Sequence, residues 1–323
     1  APEDLDAALD SAQRGFETWR ALSPYARAAI LMRAAQLVRD RTEEIAVAVT
    51  LENGKPLAEA RMETGTVVDI LEFSAEEGKR LHGRIVEGRA PGVRHHVVKA
   101  PVGVCLAITP WNFPINTVAK KLGAALGAGC SVILKASNET PGAAILLVQA
   151  LMDAGLPAGV VNVVFGPSAQ VTSHLMKSET LRKVSLTGSV PVGRQLAVLA
   201  AERMQRLTME LGGHAPVVVF DDVDVGKAID LLVPGKFRNA GQICISPTRF
   251  FVQDAIYADF VDAFTERAAA IKVGNGMESG TMMGPLANAR RLSAMDGFVE
   301  DAKSRGATIT TGGERIGNQG YFF

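Results

Sequence analysis

Apolar residues recur at helical spacing through residues 8–50: Ala8, Phe16, Trp19, Ala28, Leu31, Ala34, Leu37, Val38 and Ile45, with Arg and Glu on the opposite face. A second amphipathic segment covers 56–81. The period then breaks at Gly83-Arg84-Ile85-Val86-Glu87-Gly88 and again over 94–101, with Pro91-Gly92 marking a turn. This predicts an extended hairpin over 83–101, whose open edges invite a strand from another subunit. From residue 101 onward, short β-branched runs at 102–108, 131–134, 160–165, 184–186 and 207–211 alternate with helical patterns. Those patterns start at Ile115, Thr140 and Ser168 and extend over 192–202. Strands separated by helices predict βαβ units and a parallel sheet, with ligands bound at the carboxyl ends of the strands. After Gly213 a second α/β series follows: strand at 216–220, mainly helix at 224–239, strand at 249–252 and helix at 255–271. Tyr321-Phe322-Phe323 reads as the start of another strand.

Length and charge narrow the class. A chain of 323 residues exceeds the roughly 250–300 at which one core stops growing, so two domains are expected. Lys+Arg and Asp+Glu are balanced at 34 each, which provides no basic field for nucleic acid or an anionic membrane. No apolar stretch approaches the ~20 residues needed to cross a bilayer. The cysteines, Cys105, Cys130 and Cys244, form no CxxC pair and no histidine stands at ligand spacing, so no metal is expected. Cys105 and Cys130 lie in or beside apolar runs and read as small core residues. Such sparse thiols fit a reducing cytoplasm.

Cys244 stands in Asn239-Ala240-Gly241-Gln242-Ile243-Cys244-Ile245-Ser246-Pro247-Thr248-Arg249, and Glu210 in Thr208-Met209-Glu210-Leu211-Gly212-Gly213. A thiolate is a strong nucleophile and a carboxylate a general base, and both could serve one acyl centre. Taken singly, each has a plainer reading. A lone cysteine is usually a buried structural thiol, a strand-end glutamate is usually solvated, Asn112 could cap a helix, and Lys135 could be a surface lysine. Gly188-Ser189-Val190-Pro191-Val192-Gly193 departs from the G-x-G-x-x-G fingerprint and could be an ordinary strand–helix turn.

Together with Pro110-Trp111-Asn112-Phe113-Pro114 and Leu134-Lys135-Ala136-Ser137, these motifs resemble the aldehyde dehydrogenase superfamily. The resemblance is nearest to its NAD(P)-dependent succinate-semialdehyde dehydrogenase-like members and spans essentially the whole chain. It implies an α/β fold with a Rossmann-like, parallel-sheet NAD(P)-binding domain (1–82 and 102–212) and a second, catalytic α/β domain (213–323). It makes 83–101 a β-hairpin oligomerisation arm. By this likeness Cys244 attacks an aldehyde, hydride leaves for nicotinamide, and Glu210 activates the water that hydrolyses the resulting thioester. Asn112 and the Cys244 N–H would hold the oxyanion, and Lys121 lies near the water path. Trp111, Lys135, Asn138, Glu139, Gly188, Ser189, Gly193, Leu211 and Gly212 are the implied cofactor residues, and Lys120, Phe113, Ile243 and Ile245 the implied substrate residues.

Three residues after Lys135, many relatives carry a glutamate that repels the 2′-phosphate of NADP. Here Asn138 is neutral and Glu139 comes one residue later, which leaves NAD and NADP both open. Lys120 occupies a tunnel position that is basic in semialdehyde enzymes, and a snorkelling surface role is equally open. A homodimer or homotetramer acting on a small aldehyde is the implied assembly. A cysteine acyl hydrolase or transferase, and an inactive binding relative, remain alternatives, although none of the five histidines is an evident partner for Cys244. Family members continue far beyond a Gly-Tyr-Phe segment like 320–322, so the chain is expected to be one part of a longer protein.

Overall fold

Prolines and caps divide the first helical stretch into three. These are α1 (Pro2–Arg20), α2 (Pro24–Asp40) and α3 (Thr42–Asn53). Ser23 caps α2 by accepting from Ala26 N, and Pro24 pre-sets the first turn. After a Gly54-Lys55-Pro56 corner comes α4 (Leu57–Lys79). The computed structural model describes residues 1–323. Internal contacts divide them into two units, 1–45 with 62–211 and 46–61 with 212–323.

In the first unit, β1 (Arg84–Glu87) and β2 (Arg94–Val97) form an antiparallel hairpin whose residues are all exposed. Five further strands form the parallel sheet: β3 (Val104–Ile108), β4 (Ser131–Lys135), β5 (Val161–Val164), β6 (Leu181–Gly188) and β7 (Arg206–Leu211). Between them run α5 (Asn116–Gly127), α6 (Pro141–Asp153), α7 (Ser168–Met176) and α8 (Val190–Ala201). The strand order is β5-β4-β3-β6-β7. Sequence order therefore reverses direction between β3 and β6, the crevice where α/β sheets bind ligands. Strands β3 and β4 are buried along their whole length, which explains their unbroken apolar runs. Leu5, Leu9 and Phe16 of α1 pack with Ile133, Val184, Leu175 and Leu196 in one core cluster.

Cys105 in β3 and Cys130 just before β4 are buried and free, as expected for small core residues. They also touch. The Cys130 thiol is pushed down, chiefly by its hydrogen bond with Cys105 and further by the backbone N–H groups of Gly103 and Val102.

The second unit contains a two-stranded parallel sheet of β8 (Pro216–Val219) and β9 (Arg249–Val252), with α9 (Val225–Phe237) and α10 (Asp254–Ala269) packed on it. Val219, Ile229, Val233 and Phe260 centre that core, joined by Phe250 and Phe264. A further helix, α11 (Ala289–Ser304), is capped by Asn288 accepting from Arg291 N; the sequence pattern did not predict it. Tyr321-Phe322-Phe323 is not a strand, and Tyr321 O instead accepts from Leu286 N at 2.9 Å.

Residues 46–61 group with this second unit rather than with the first, which differs from the expected boundaries. Close backbone approach is the reason. A Cβ on Gly284 would fall 2.0 Å from Gly54 O, and one on Gly276 would fall 2.4 Å from Lys55 O. Only glycines let these segments meet.

Candidate functional site

In the first unit the expected residues gather at the carboxyl edge of the sheet. Trp111, Asn112 and Phe113 are half-buried in the loop after β3. Asn112 does not cap α5, because the helix starts at Asn116 with Ile115 as its N-cap. The Asn112 Oδ1 accepts from Phe113 N at 3.1 Å, which holds the amide in the loop. N–H groups at the start of α5, which lack partners within the helix, are taken by α4: Glu63 Oε1 accepts from Ile115 N and Asn116 N, each at 3.1 Å. A carboxylate there also meets the positive end of the helix dipole.

One turn along α5, Lys120 is exposed while Lys121 points inward. Lys121 Nζ donates to Ser185 Oγ of β6 at 2.9 Å. Burial pushes its pKa down to about 8; Glu210 opposes that fall and Lys183 adds to it. The β6–β7 register aligns Ser185 with Thr208, Thr187 with Glu210 and Gly188 with Leu211. Glu210 is exposed near the end of the edge strand β7.

Lys135 ends β4 almost fully buried, donating to Ala136 O at 2.8 Å and Asn138 Oδ1 at 3.1 Å. Burial lowers its pKa. Asn138 also bridges to the loop after β5, its Nδ2 donating to Gly166 O at 2.9 Å. Glu139 is exposed, its N–H bound to Ser137 Oγ at 3.2 Å. Ser189 is the N-cap of α8 in extended conformation, and its side chain makes no capping bond. That leaves its hydroxyl, with the first-turn N–H groups, suited to an anion. Gly193 has a packing reason of its own: a Cβ there would lie 2.8 Å from Leu211 Cδ2.

In the second unit, Cys244 and Ile245 are exposed, Ile243 is half-buried and Ser246 is buried. A Cβ on Gly212 would meet nothing within 4 Å, and one on Gly213 only Cys244 O at 3.9 Å. The Cys244 loop is tied down on both sides. Gln242 Oε1 accepts from Ala287 N at 3.0 Å, and Ser246 Oγ donates to Lys236 O at 3.1 Å. Upstream is a short 3₁₀ turn, Arg238–Gly241, in which Asn239 and Ala240 take left-handed angles (φ 49° and 53°). The His214 ring is engaged elsewhere, its Nδ1 lying 3.2 Å from Thr248 Oγ1.

A family model described as the aldehyde dehydrogenase family matches residues 1–323. The chain belongs to that family. Among curated relatives, the 4-(hydroxymethyl)benzenesulfonate dehydrogenase of Comamonas testosteroni is 47% identical over 320 residues, covering 99% of this chain and 66% of its own length. The NADP(+) succinate-semialdehyde dehydrogenase of Escherichia coli K12 is 40% identical over 321 residues, covering 99% and 67%. The crystal structure of succinate-semialdehyde dehydrogenase from Burkholderia pseudomallei superposes with a TM-score of 0.97 at 39% identity, covering 99% of this chain and 67% of that one. The chain thus spans about two thirds of the length of these relatives.

Motif reading singled out the candidate residues above but not three side chains that hydrogen-bond beside them. Glu63, Ser185 and Glu59 are those three, the last accepting from Asn239 N at 3.0 and 3.3 Å. The only sequence signal for the two glutamates is their i, i+4 spacing on α4, which looks like an ordinary helix face.

Proposed function

We propose that the protein oxidises an aldehyde carrying a distal anionic group to the corresponding acid, with NAD or NADP as acceptor. The observation that carries this reading is the gathering of Asn112, Lys121, Lys135, Ser189 and Glu210 at one sheet edge in a chain of the aldehyde dehydrogenase family. By the family likeness, Cys244 Sγ as thiolate would add to the aldehyde carbon, and the Asn112 amide and the Cys244 N–H would be the donors to the alkoxide. A bound nicotinamide would supply the acceptor for the hydride that must leave this carbon. Cys244 is left as a thioester. Glu210 takes a proton from water as the water attacks, and the acid departs with Cys244 free again.

The cofactor fits residues present in the first unit. Ser189 and the α8 N-terminus would receive the pyrophosphate and Lys135 would hold the ribose, with Trp111, Gly188, Gly193, Leu211 and Gly212 as the remaining cofactor residues. Asn138 brings no charge against a 2′-phosphate, so NADP is accepted as well as NAD. Exposed Lys120 supports an anionic substrate, and the names of the sulfonate and succinate-semialdehyde relatives point the same way. Phe113, Ile243 and Ile245 would line the path of the aldehyde. The exposed hairpin β1–β2 supplies an edge for homodimer or homotetramer assembly. No helix is long and apolar enough to cross a membrane, and the three free thiols favour the cytoplasm.

The test follows absorbance of reduced nicotinamide with succinate semialdehyde, a sulfonated aldehyde and neutral aldehydes, each with both cofactors. Turnover faster for the anionic pair and abolished by Cys244→Ala is expected. No reduction of either cofactor by any of these aldehydes would refute the proposal.

A further inference from the structure

We propose that Glu59 is a positioning residue that clamps the loop bearing Cys244 in a backbone conformation it would not hold unaided. The catalytic meaning rests on the proposed function; the clamp itself does not. Three successive residues ahead of the thiol are left-handed: Asn239 at φ 49°, Ala240 at 53° and Gly241 at 69°. Glycine adopts that region freely and asparagine tolerates it, but alanine places its Cβ too near the following carbonyl. Such strain persists only where the surroundings over-determine it.

Glu59 supplies that constraint. Both of its carboxylate oxygens face one N–H, Asn239 N, at 3.0 and 3.3 Å. Asn239 is buried, so the N–H has no water to turn to and the charge-assisted bond fixes where the turn begins. The turn is then relayed toward the thiol. Gln242 N and Gln242 Nε2 both donate to Asn239 O, at 3.0 and 3.1 Å, two residues before Cys244. Glu59 is itself held in place, because the Gly54-Lys55 corner just before it packs backbone-to-backbone against Gly276 and Gly284. Leu57 N also donates to Gly276 O at 2.9 Å. Within this unit the packed corner thus positions a carboxylate, the carboxylate sets a strained turn, and the turn presents an exposed thiol.

Amide hydrogen exchange of the whole protein, wild type against Glu59→Ala and Glu59→Gln, tests the clamp without substrate. Amides of 239–246 should exchange roughly tenfold faster in Glu59→Ala, while those of α10 keep their protection. Glu59→Gln should show a smaller change, since its amide oxygen still accepts. Adding Ala240→Gly to Glu59→Ala should recover part of the protection, because glycine holds the left-handed angle without cost. In the turnover assay kcat should fall by roughly tenfold or more with the KM for cofactor unchanged. Unchanged exchange at 239–246 overturns the clamp, as does loss of protection spread equally through β8, β9 and α10. Faster loop exchange with undiminished kcat overturns the positioning role. A wild-type protein that reduces neither cofactor refutes the proposed reaction instead, and exchange alone then decides the clamp.

Discussion

Lys121 gives the most quantitative handle on the first unit. Its pKa falls from 10.5 to about 8, led by burial and reinforced by Lys183. Between those values the unfolded chain binds more protons at this site than the folded one, so stability rises as pH rises from about 8 toward 10.5. Below about 8 the folded state carries the full cost of the buried ammonium. A gap of about 2.5 pH units at roughly 1.4 kcal/mol each amounts to about 3 kcal/mol. Of this, about 2 kcal/mol should be recovered between pH 7 and 9.5, because a fraction of the unfolded chain still titrates above that range. Lys121→Met removes the charge and with it this dependence. The Ser185 bond is lost in the variant at every pH, so it shifts the difference between the two proteins without tilting it. Urea unfolding of wild type and variant, followed through the transition of the first unit at several pH values, measures the difference directly. The wild type should gain about 2 kcal/mol on the variant from pH 7 to 9.5. A difference that stays flat across that range would refute the argument.

Glu63→Ala should lower the unfolding midpoint, since two N–H groups at the start of α5 lose their acceptor at a cost of about 1–3 kcal/mol. Glu63→Gln should lie between it and wild type, as scanning calorimetry would show. Thiol titration should find one fast-reacting cysteine per native chain, Cys244, and three after unfolding. The Cys130 pKa is lowered, but the thiol is almost fully buried, and reaction needs access as well as thiolate. Rapid loss of two thiols from the native chain would show that acidity outweighs burial at Cys130.

Period and punctuation made the parallel sheet legible. Strands β3 and β4 read as continuous apolar runs because both their faces are covered. Strand β6 was harder. It spans Leu181–Gly188, yet polar Arg182 and Lys183 near its start left only 184–186 looking like a strand. Lys183 and Ser185 share one face, where Ser185 accepts from Lys121 and Lys183 donates to Thr208, so polar contacts masked the strand signal. Helix α11 was missed because a single buried residue, Leu292, leaves almost no apolar stripe to detect.

The residues of the candidate site divide along the same physical line. Cys244, Glu210 and Asn112 stand in short runs of glycine, proline and aromatic residues whose spacing is local, so a reader of the sequence meets them together. Glu63 and Glu59 act across 52 and 180 residues, on backbone N–H groups at Ile115 and Asn239. A backbone N–H belongs to every residue but proline, so nothing in the identity of Ile115 or Asn239 announces that a carboxylate is needed. The need comes from geometry: a helix start stripped of water at Ile115, and a left-handed turn at Asn239. Side chains in a local motif are therefore visible in one dimension, and side chains that hold distant backbone in place become visible only in three. If that division is right, exchanging Glu59 for Asp should disturb the Cys244 loop as removal does, because the shorter side chain keeps the charge but not the reach.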